Sequence, residues 1–377
     1  MSIIAAERGV LGDALVNNPW IRIDGKHIVE VGAGKPPAEP QWSFEGVLLP
    51  GFVDQHCHGG SESNFFAADS SEARIAADLH LSHGTTTVVA SLVTAAPDTL
   101  IKQVESLIPL VNEGVIAGIH LEGPWISEQM CGAHDSLLLR DPDPTEISEI
   151  LAAGQGMIVM ATIAPERAGA IQAIQQLVSA NVVVAIGHTA CGYTKAQEAI
   201  DAGATVATHL FNRMPNIDHR DPGPIVALMN DPRVTVELIA DGVHLDPALI
   251  PFVVQTVGSH RAAVITDAMG AAGSPDGDYV IGELEVQVID GVARLKKNGA
   301  LAGSTLTMDI ALKILVEECG LSLPIASGMV SGVSAKAMGF TDRGALVVGH
   351  QADLVVVDDS MDVIRVMQAG SWVSPRQ

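Results

Sequence analysis

The chain has 377 residues, 47% hydrophobic and 17% charged, against a usual ~25% charged, so a large core is available and disorder is excluded. Its net charge of −23, from 21 basic and 44 acidic residues, repels nucleic acid and anionic membranes and makes any anion site depend on local Arg or His. Four cysteines without a C-x-x-C spacing make no disulfide framework, and the N-terminus, with Glu7 and Arg8, lacks the basic start and apolar run of a secretory leader; a reducing cytoplasm is the expected location.

Residues 1–49 hold IRIDGKHIVEVGAG and FEGVLLP, alternating runs around the Asp24-Gly25 hairpin signal. From Pro50 to about Met269, short β-branched runs alternate with helical stretches. They are GFVDQHCH (51–58), TTTVVASL (85–92), GIHLEG (118–123), MIVMATIAP (157–165), VVVAIGHT (182–189), TVATHLFN (205–212), TVELIADGVH (235–244) and AAVITDAMG (262–270). Continuous apolar runs alternating with helices imply parallel strands joined by right-handed crossovers, and eight such units predict an α/β fold, a (β/α)8 TIM-like barrel. A β-rich insert at 279–303 follows the eighth run. Helices are predicted near 305–318 and 324–338, and from 344 onwards the alternation returns. The two ends are therefore expected to form a small discontinuous β-sandwich domain from 1–49 and 342–377, with the barrel over 50–341.

Ligand-type residues gather where the predicted barrel strands end, which is where barrel enzymes keep their sites. His56 and His58 close the first run as H-x-H, on one face by the period of two, with Cys57 on the other and expected in the core. Glu122 ends the third run, His188 the fifth, His209 the sixth and Asp267 the eighth. Six such residues in one register suit one or two borderline divalent cations. His120 faces the same way one layer deeper and is expected to support the ligands. His27, His80, His83, His260 and His350 lie away from the strand ends and are expected at the surface or against helices.

PGFVDQHCHGG, HGTTTVVAS, HLEGPWI, GAHD, GHT, THLFNRMP, ADGVH, ITDAM and LAGSTLTM together resemble the amidohydrolase superfamily and, within it, the N-acetylglucosamine-6-phosphate deacetylase family. The resemblance spans nearly the whole chain. It implies metal-dependent hydrolysis of the acetamide of N-acetylglucosamine 6-phosphate, a small phosphosugar, to glucosamine 6-phosphate and acetate. Asp267 would be metal ligand and general base and acid. Ala133 and His134 would contact the sugar or the scissile carbonyl, Leu301, Ala302 and Gly303 the substrate through main chain, and Asn212, Arg213, Arg220 and His244 the phosphate. A homodimer is implied, with Arg220 reaching across its interface.

Two features refine this expectation. Many binuclear relatives bridge their metals with a carboxylated Lys on strand 4, but the only Lys between His58 and His188 is Lys102, in a predicted helix; Glu122 is left to bridge. Both H-x-H histidines are present, which favours two metals, with Zn, Fe, Mn or Co all acceptable to these ligands. The position after Asn212 is commonly Ala in the family and is Arg213 here, which adds a phosphate contact or narrows the pocket. Cys131, beside His134 on a predicted loop, is inert or open to oxidation. Competing readings are an amidohydrolase acting on N-acyl amino acids, a cyclic amide or an epimeric N-acetylhexosamine 6-phosphate, and, from another class, a non-catalytic metal-binding scaffold.

Overall fold

The computed structural model describes residues 1–374, so the last three residues of the expected 342–377 segment lie outside the described residues. Eight parallel strands run in the order Phe52–Cys57, Thr85–Leu92, Gly118–Glu122, Ile158–Ile163, Val183–Ile186, Val206–Ala207, Thr235–Ile239 and Ala262–Ile265, each paired with its sequence neighbour. The ring closes at its rim, where Asp267 N donates to His56 O at 2.9 Å and His58 N to Ala268 O at 2.8 Å. Every residue of the first three strands is buried. Helices cover the outer face and interior side chains fill the inner one, which is why both faces of these strands are buried, their polar residues included.

The helices follow from local signals. Asp143 caps Pro144–Ala153 by accepting from Thr145 N at 2.8 Å and Glu146 N at 3.1 Å, and the proline sits where a missing N–H costs nothing. The helix expected at 324–338 is two, Leu323–Met329 and Gly332–Ala337. They part at Ser331, whose backbone (φ −142, ψ −81) is not helical. The expected sixth strand also shortens to Val206–Ala207, because the chain leaves the sheet for Leu210 N to reach Glu237 O at 2.8 Å.

The N- and C-terminal segments form the β-sandwich domain. Ser2–Leu11, Ala14–Asn17, Pro19–Asp24, His27–Ala33 and Trp42–Pro50 share one eight-stranded sheet with Leu354–Val357, Val363–Gln368 and Ser371–Trp372. Trp42–Pro50 runs straight into the first barrel strand. The antiparallel pairing of Leu354 with Pro50 and the bond from Gly51 N to Asp353 O (2.9 Å) therefore tie the two bodies together at the root of the H-x-H strand. The insert is a three-stranded meander, Gly277–Ile281, Leu284–Ile289 and Val292–Leu295. Among the described residues no helix is long and apolar enough to cross a membrane.

Candidate metal centre and substrate pocket

Three of the expected ligands stand two residues beyond their strands. Strands five, six and eight end at Ile186, Ala207 and Ile265, and His188, His209 and Asp267 follow with φ of 45°, 27° and 49°. Left-handed backbone at a residue with a side chain costs ~1–3 kcal/mol, and such strain tends to collect at functional sites. Here it turns each side chain from the strand direction over the mouth of the barrel.

Glu122 lies at the centre. Its Oε1 is 3.2 Å from His188 Nε2, 3.1 Å from His209 Nε2 and 3.4 Å from His56 Nε2; its Oε2 is 3.1 Å from His58 Nε2 and 3.3 Å from His134 Nε2. Asp267 Oδ1 is 3.3 Å from His58 Nε2 and 3.6 Å from His56 Nε2. The structure therefore brings all six expected ligands together. It adds His134, expected against the substrate, whose ring packs at 4.7 Å from that of His188 and whose Nδ1 meets Thr94 Oγ1 at 2.9 Å.

The outer nitrogens show what the cluster is built to hold. His58 Nδ1 lies 3.1 Å from Ser91 O and His188 Nδ1 2.8 Å from Met130 O. A carbonyl only accepts, so the proton sits on Nδ1 and the Nε2 lone pair faces inward. His56 Nδ1 is likewise 3.2 Å from Glu237 Oε2. Inside, Nε2 meets Nε2 at 3.2 Å between His56 and His58 and at 3.0 Å between His188 and His209, beside two carboxylates. Acceptors converging on acceptors need a cation between them. Donor atoms of His56, His58, Glu122 and Asp267, and those of Glu122, His134 and His188, lie within 4.8 Å of one another. A mixed imidazole and carboxylate set, with the outer nitrogens of His56, His58 and His188 tied and only His209 Nδ1 left without a partner, fits a borderline divalent ion.

The electrostatics favour positive charge at this point, held by ring protons when no cation is bound and supplied by a cation in their place when one is. Burial opposes charge on His56 and His58, yet Glu122 and Asp267 carry His56 well above its ordinary value and His58 up to about 9. Burial pushes His188 down to about 4. Burial would raise both carboxylates, but the histidines hold Glu122 well below its usual range and Asp267 at about 2. Both are anionic at neutral pH.

Beneath the cluster His120 bonds Ser91 Oγ and Thr162 Oγ1, each at 2.9 Å, with its ring edge-on to His56 at 4.6 Å. This is the supporting place expected of it. The sequence reading did not single out Glu237. This fully buried acid lies inside an otherwise apolar strand; it accepts from Gln55 Nε2 at 2.7 Å and from His209 N at 3.1 Å besides meeting His56. A lone acid in such a run was the signal for it.

The pocket over the cluster is lined by Ala133, Phe211, Asn212, Arg213, His244, Leu301 and Gly303. Ala302 is buried behind it, its N bonded to Ala293 O at 3.2 Å. Arg220 is exposed on the loop before Gly223–Asn230 and does not line the pocket of its own chain. His244 is held by Asp241, a second carboxylate not singled out, whose Oδ1 accepts from the N–H of Val243 (2.8 Å) and His244 (2.7 Å) and whose Oδ2 lies 2.6 Å from His244 Nδ1. The D-G-V-H spacing was its trace in the sequence. His80, expected at the surface or against a helix, is fully buried on helix Ser70–Ser82, where its Nε2 meets Gly59 O at 2.9 Å and Cys57 Sγ at 3.2 Å.

Residues 47–373 match the family model described as Amidohydrolase family. The N-acetylglucosamine-6-phosphate deacetylase of Lysinibacillus sphaericus is 33% identical over 86% of this chain and 84% of its own. The N-acetylgalactosamine-6-phosphate deacetylase of Escherichia coli O157:H7 is 34% identical over 87% and 88%. Among solved structures, the D267A mutant of the Mycobacterium smegmatis N-acetyl-D-glucosamine-6-phosphate deacetylase, in complex with N-acetyl-D-glucosamine-6-phosphate, matches at 48% identity with a TM-score of 0.96, over 98% of each chain. A (β/α)8 barrel with its histidines and carboxylates converging at one rim, in a chain this similar throughout, belongs to the amidohydrolase family, among the N-acetylglucosamine-6-phosphate deacetylases.

Proposed function

We propose that this enzyme hydrolyses the acetamide of N-acetylglucosamine 6-phosphate, releasing acetate and glucosamine 6-phosphate. The observation that carries the reading is the ring of inward lone pairs and two carboxylates flooring a pocket whose wall holds His244 and Arg213. His56 and His58 would hold one divalent cation and His188 and His209 a second, with Glu122 between them. A cation bound there supplies Lewis acidity, lowering the pKa of its water from 15.7 toward ~7 and polarising the acetyl carbonyl. Asp267, kept anionic at about 2 against the effect of burial, takes the proton of the attacking water and returns it to the departing nitrogen, since an amine leaves only when protonated. His134 and the Ala133 backbone orient the acetamide, the Leu301–Gly303 main chain holds the sugar, and His244 with Asn212 faces the phosphate. The complex of the Mycobacterium smegmatis D267A mutant with N-acetyl-D-glucosamine-6-phosphate supports a substrate of this kind.

Catalysis belongs, on this reading, to residues 50–341, with 1–49 and 342–377 as its support, and the setting is cytoplasmic. Arg220, exposed and outside the lining of its own pocket, would meet a phosphate in a second copy of the chain, which implies the homodimer. The Escherichia coli O157:H7 relative favours a second reading, the galactosamine epimer of the same substrate. Acetate release from N-acetylglucosamine, N-acetylgalactosamine and N-acetylmannosamine 6-phosphates and their unphosphorylated forms, with metal content measured on the same sample, tests both. N-acetylglucosamine 6-phosphate is expected to be turned over best. Better turnover of an unphosphorylated sugar or of an N-acyl amino acid would overturn the assignment.

A further inference from the structure

The barrel rim carries one more polar side chain, from the second strand, that the reaction above does not use. His188, His209 and Asp267 stand two residues beyond their strands, and Thr94 stands two residues beyond Thr85–Leu92. Thr94 is buried. Its Oγ1 lies 2.9 Å from His134 Nδ1, and its backbone N–H donates to the same nitrogen at 3.3 Å. Gly123, directly after Glu122, leaves the hydroxyl its room, since a Cβ there would stand 2.3 Å from Thr94 Oγ1.

These contacts set His134 apart from its neighbours. Carbonyls hold the protons of His58 and His188 on Nδ1. A backbone N–H only donates, so Nδ1 of His134 is the bare nitrogen and its proton sits on Nε2. That Nε2–H faces inward, 3.3 Å from Glu122 Oε2. The reverse tautomer would set the Thr94 N–H against a ring proton and a lone pair against the carboxylate. The inner contact is longer than the ~2.9–3.0 Å of an ordinary bond, so the grip on the ring comes from Thr94. His188 reaches Met130 O on the loop that carries His134, and the two rings lie 4.7 Å apart. They face inward with opposite chemistry, a lone pair from His188 and a proton from His134.

We propose that Thr94 is a positioning residue that selects the His134 tautomer. It thereby keeps His134 out of the metal ligand set and leaves it an N–H donor toward the acyl oxygen of the substrate. The inference rests on the amide-hydrolysis reading above, in which His134 orients the acetamide. A donor fixed in advance favours the transition state over the bound substrate, because the oxygen gains charge as water adds. Loss of the hydroxyl should therefore appear in kcat rather than in KM.

The test compares Thr94→Val, which keeps the shape and loses the hydroxyl, with Thr94→Ser, which restores it. Both are made as zinc-loaded enzyme carrying nitrogen-15 histidine. Ring nitrogen spectra, assigned by difference from His134→Gln, should show the His134 proton on Nε2 in wild type and Thr94→Ser. In Thr94→Val it should be shared between the two nitrogens. On N-acetylglucosamine 6-phosphate kcat should fall roughly 3–10-fold in Thr94→Val, the scale of one hydrogen bond, with KM little changed. Thr94→Ser should recover most of that loss, and zinc content should be the same in wild type and every variant. A wild-type His134 protonated on Nδ1 would overturn the proposal, as would zinc lost from His134→Gln. So would a loss confined to KM, or equal kcat losses in Thr94→Val and Thr94→Ser. A wild-type enzyme that releases no acetate from the sugar phosphate would overturn the functional reading instead, and the spectra would still decide the tautomer.

Discussion

Two groups of histidines meet at the first barrel strand. His56 and His58 face the barrel mouth, where Glu122 and Asp267 lie within 3.1–3.6 Å, and both are carried upward in pKa. His80 packs behind the same strand against Cys57, and burial pushes it down to about 4. All three are buried to the same degree. What differs is the company of carboxylates, and with it the direction of the lone pairs. The Asp54, Cys57 and His80 donors also lie within 4.8 Å of one another. There, however, Asp54 is already satisfied by Thr266 Oγ1 (2.5 Å) and His56 N (3.2 Å), His80 Nε2 donates to Gly59 O, and burial keeps the Cys57 thiol protonated. Proximity of ligand-type residues does not by itself make a metal centre; several acceptors aimed at one point between two anionic carboxylates do.

The largest expected effect is on the catalytic side of this contrast. Asp267→Asn should retain the fold and substrate affinity and lower kcat by at least ~10², the scale of a lost general acid and base. Steady-state kinetics retaining more than a tenth of wild-type kcat would remove Asp267 from that role.

The next effect breaks the other side. His80 has a folded pKa of about 4 against 6.5 unfolded. Between those values the unfolded chain binds a proton that the folded chain refuses, so this contribution is present above pH 6.5 and is lost as pH falls toward 4. Its size is about 3 kcal/mol. Asp54, raised to about 6 by burial, works in the opposite sense, because its protonated form is the folded one and its contribution is lost as pH rises through 6. The wild-type curve therefore mixes the two, and the comparison must be with His80→Gln. Urea unfolding from pH 7 to 4 should show the variant gaining about 3 kcal/mol relative to wild type. A pH-independent difference would contradict a neutral buried His80.

The smallest effect sharpens the metal side. Glu237→Gln removes the charge behind His56 and, through the His209 backbone, beside the second ligand pair. Groups that orient metal ligands are typically worth 10–100-fold in affinity, so chelator competition should show weaker divalent-ion binding by about that factor with an unchanged circular dichroism spectrum. Unaltered affinity would reduce Glu237 to a structural acid.

Much of this site was legible beforehand because strand ends in a barrel converge. A polar residue closing each apolar run had one place to go, so His56, His58, Glu122, His188, His209 and Asp267 could be collected without knowing any distance. The resemblance supplied Asp267's role and the pocket residues, and periodicity supplied the barrel. The helix at 324–338 was read as one because no proline or charge marks the break at Ser331, where a backbone turn decides.

The sequence by itself determined which side chains could be ligands, since residue type and the two-residue period of a strand are local properties. Tertiary structure alone decided which acids support them and which cation lines the pocket. Glu237 meets His56 across 181 positions, the Arg213 stem lies over Gly132 from a different loop, and Arg220, seven residues further on, is exposed outside the pocket lining. Such contacts depend on where loops cross after the barrel closes, and no spacing along one strand or helix encodes that crossing.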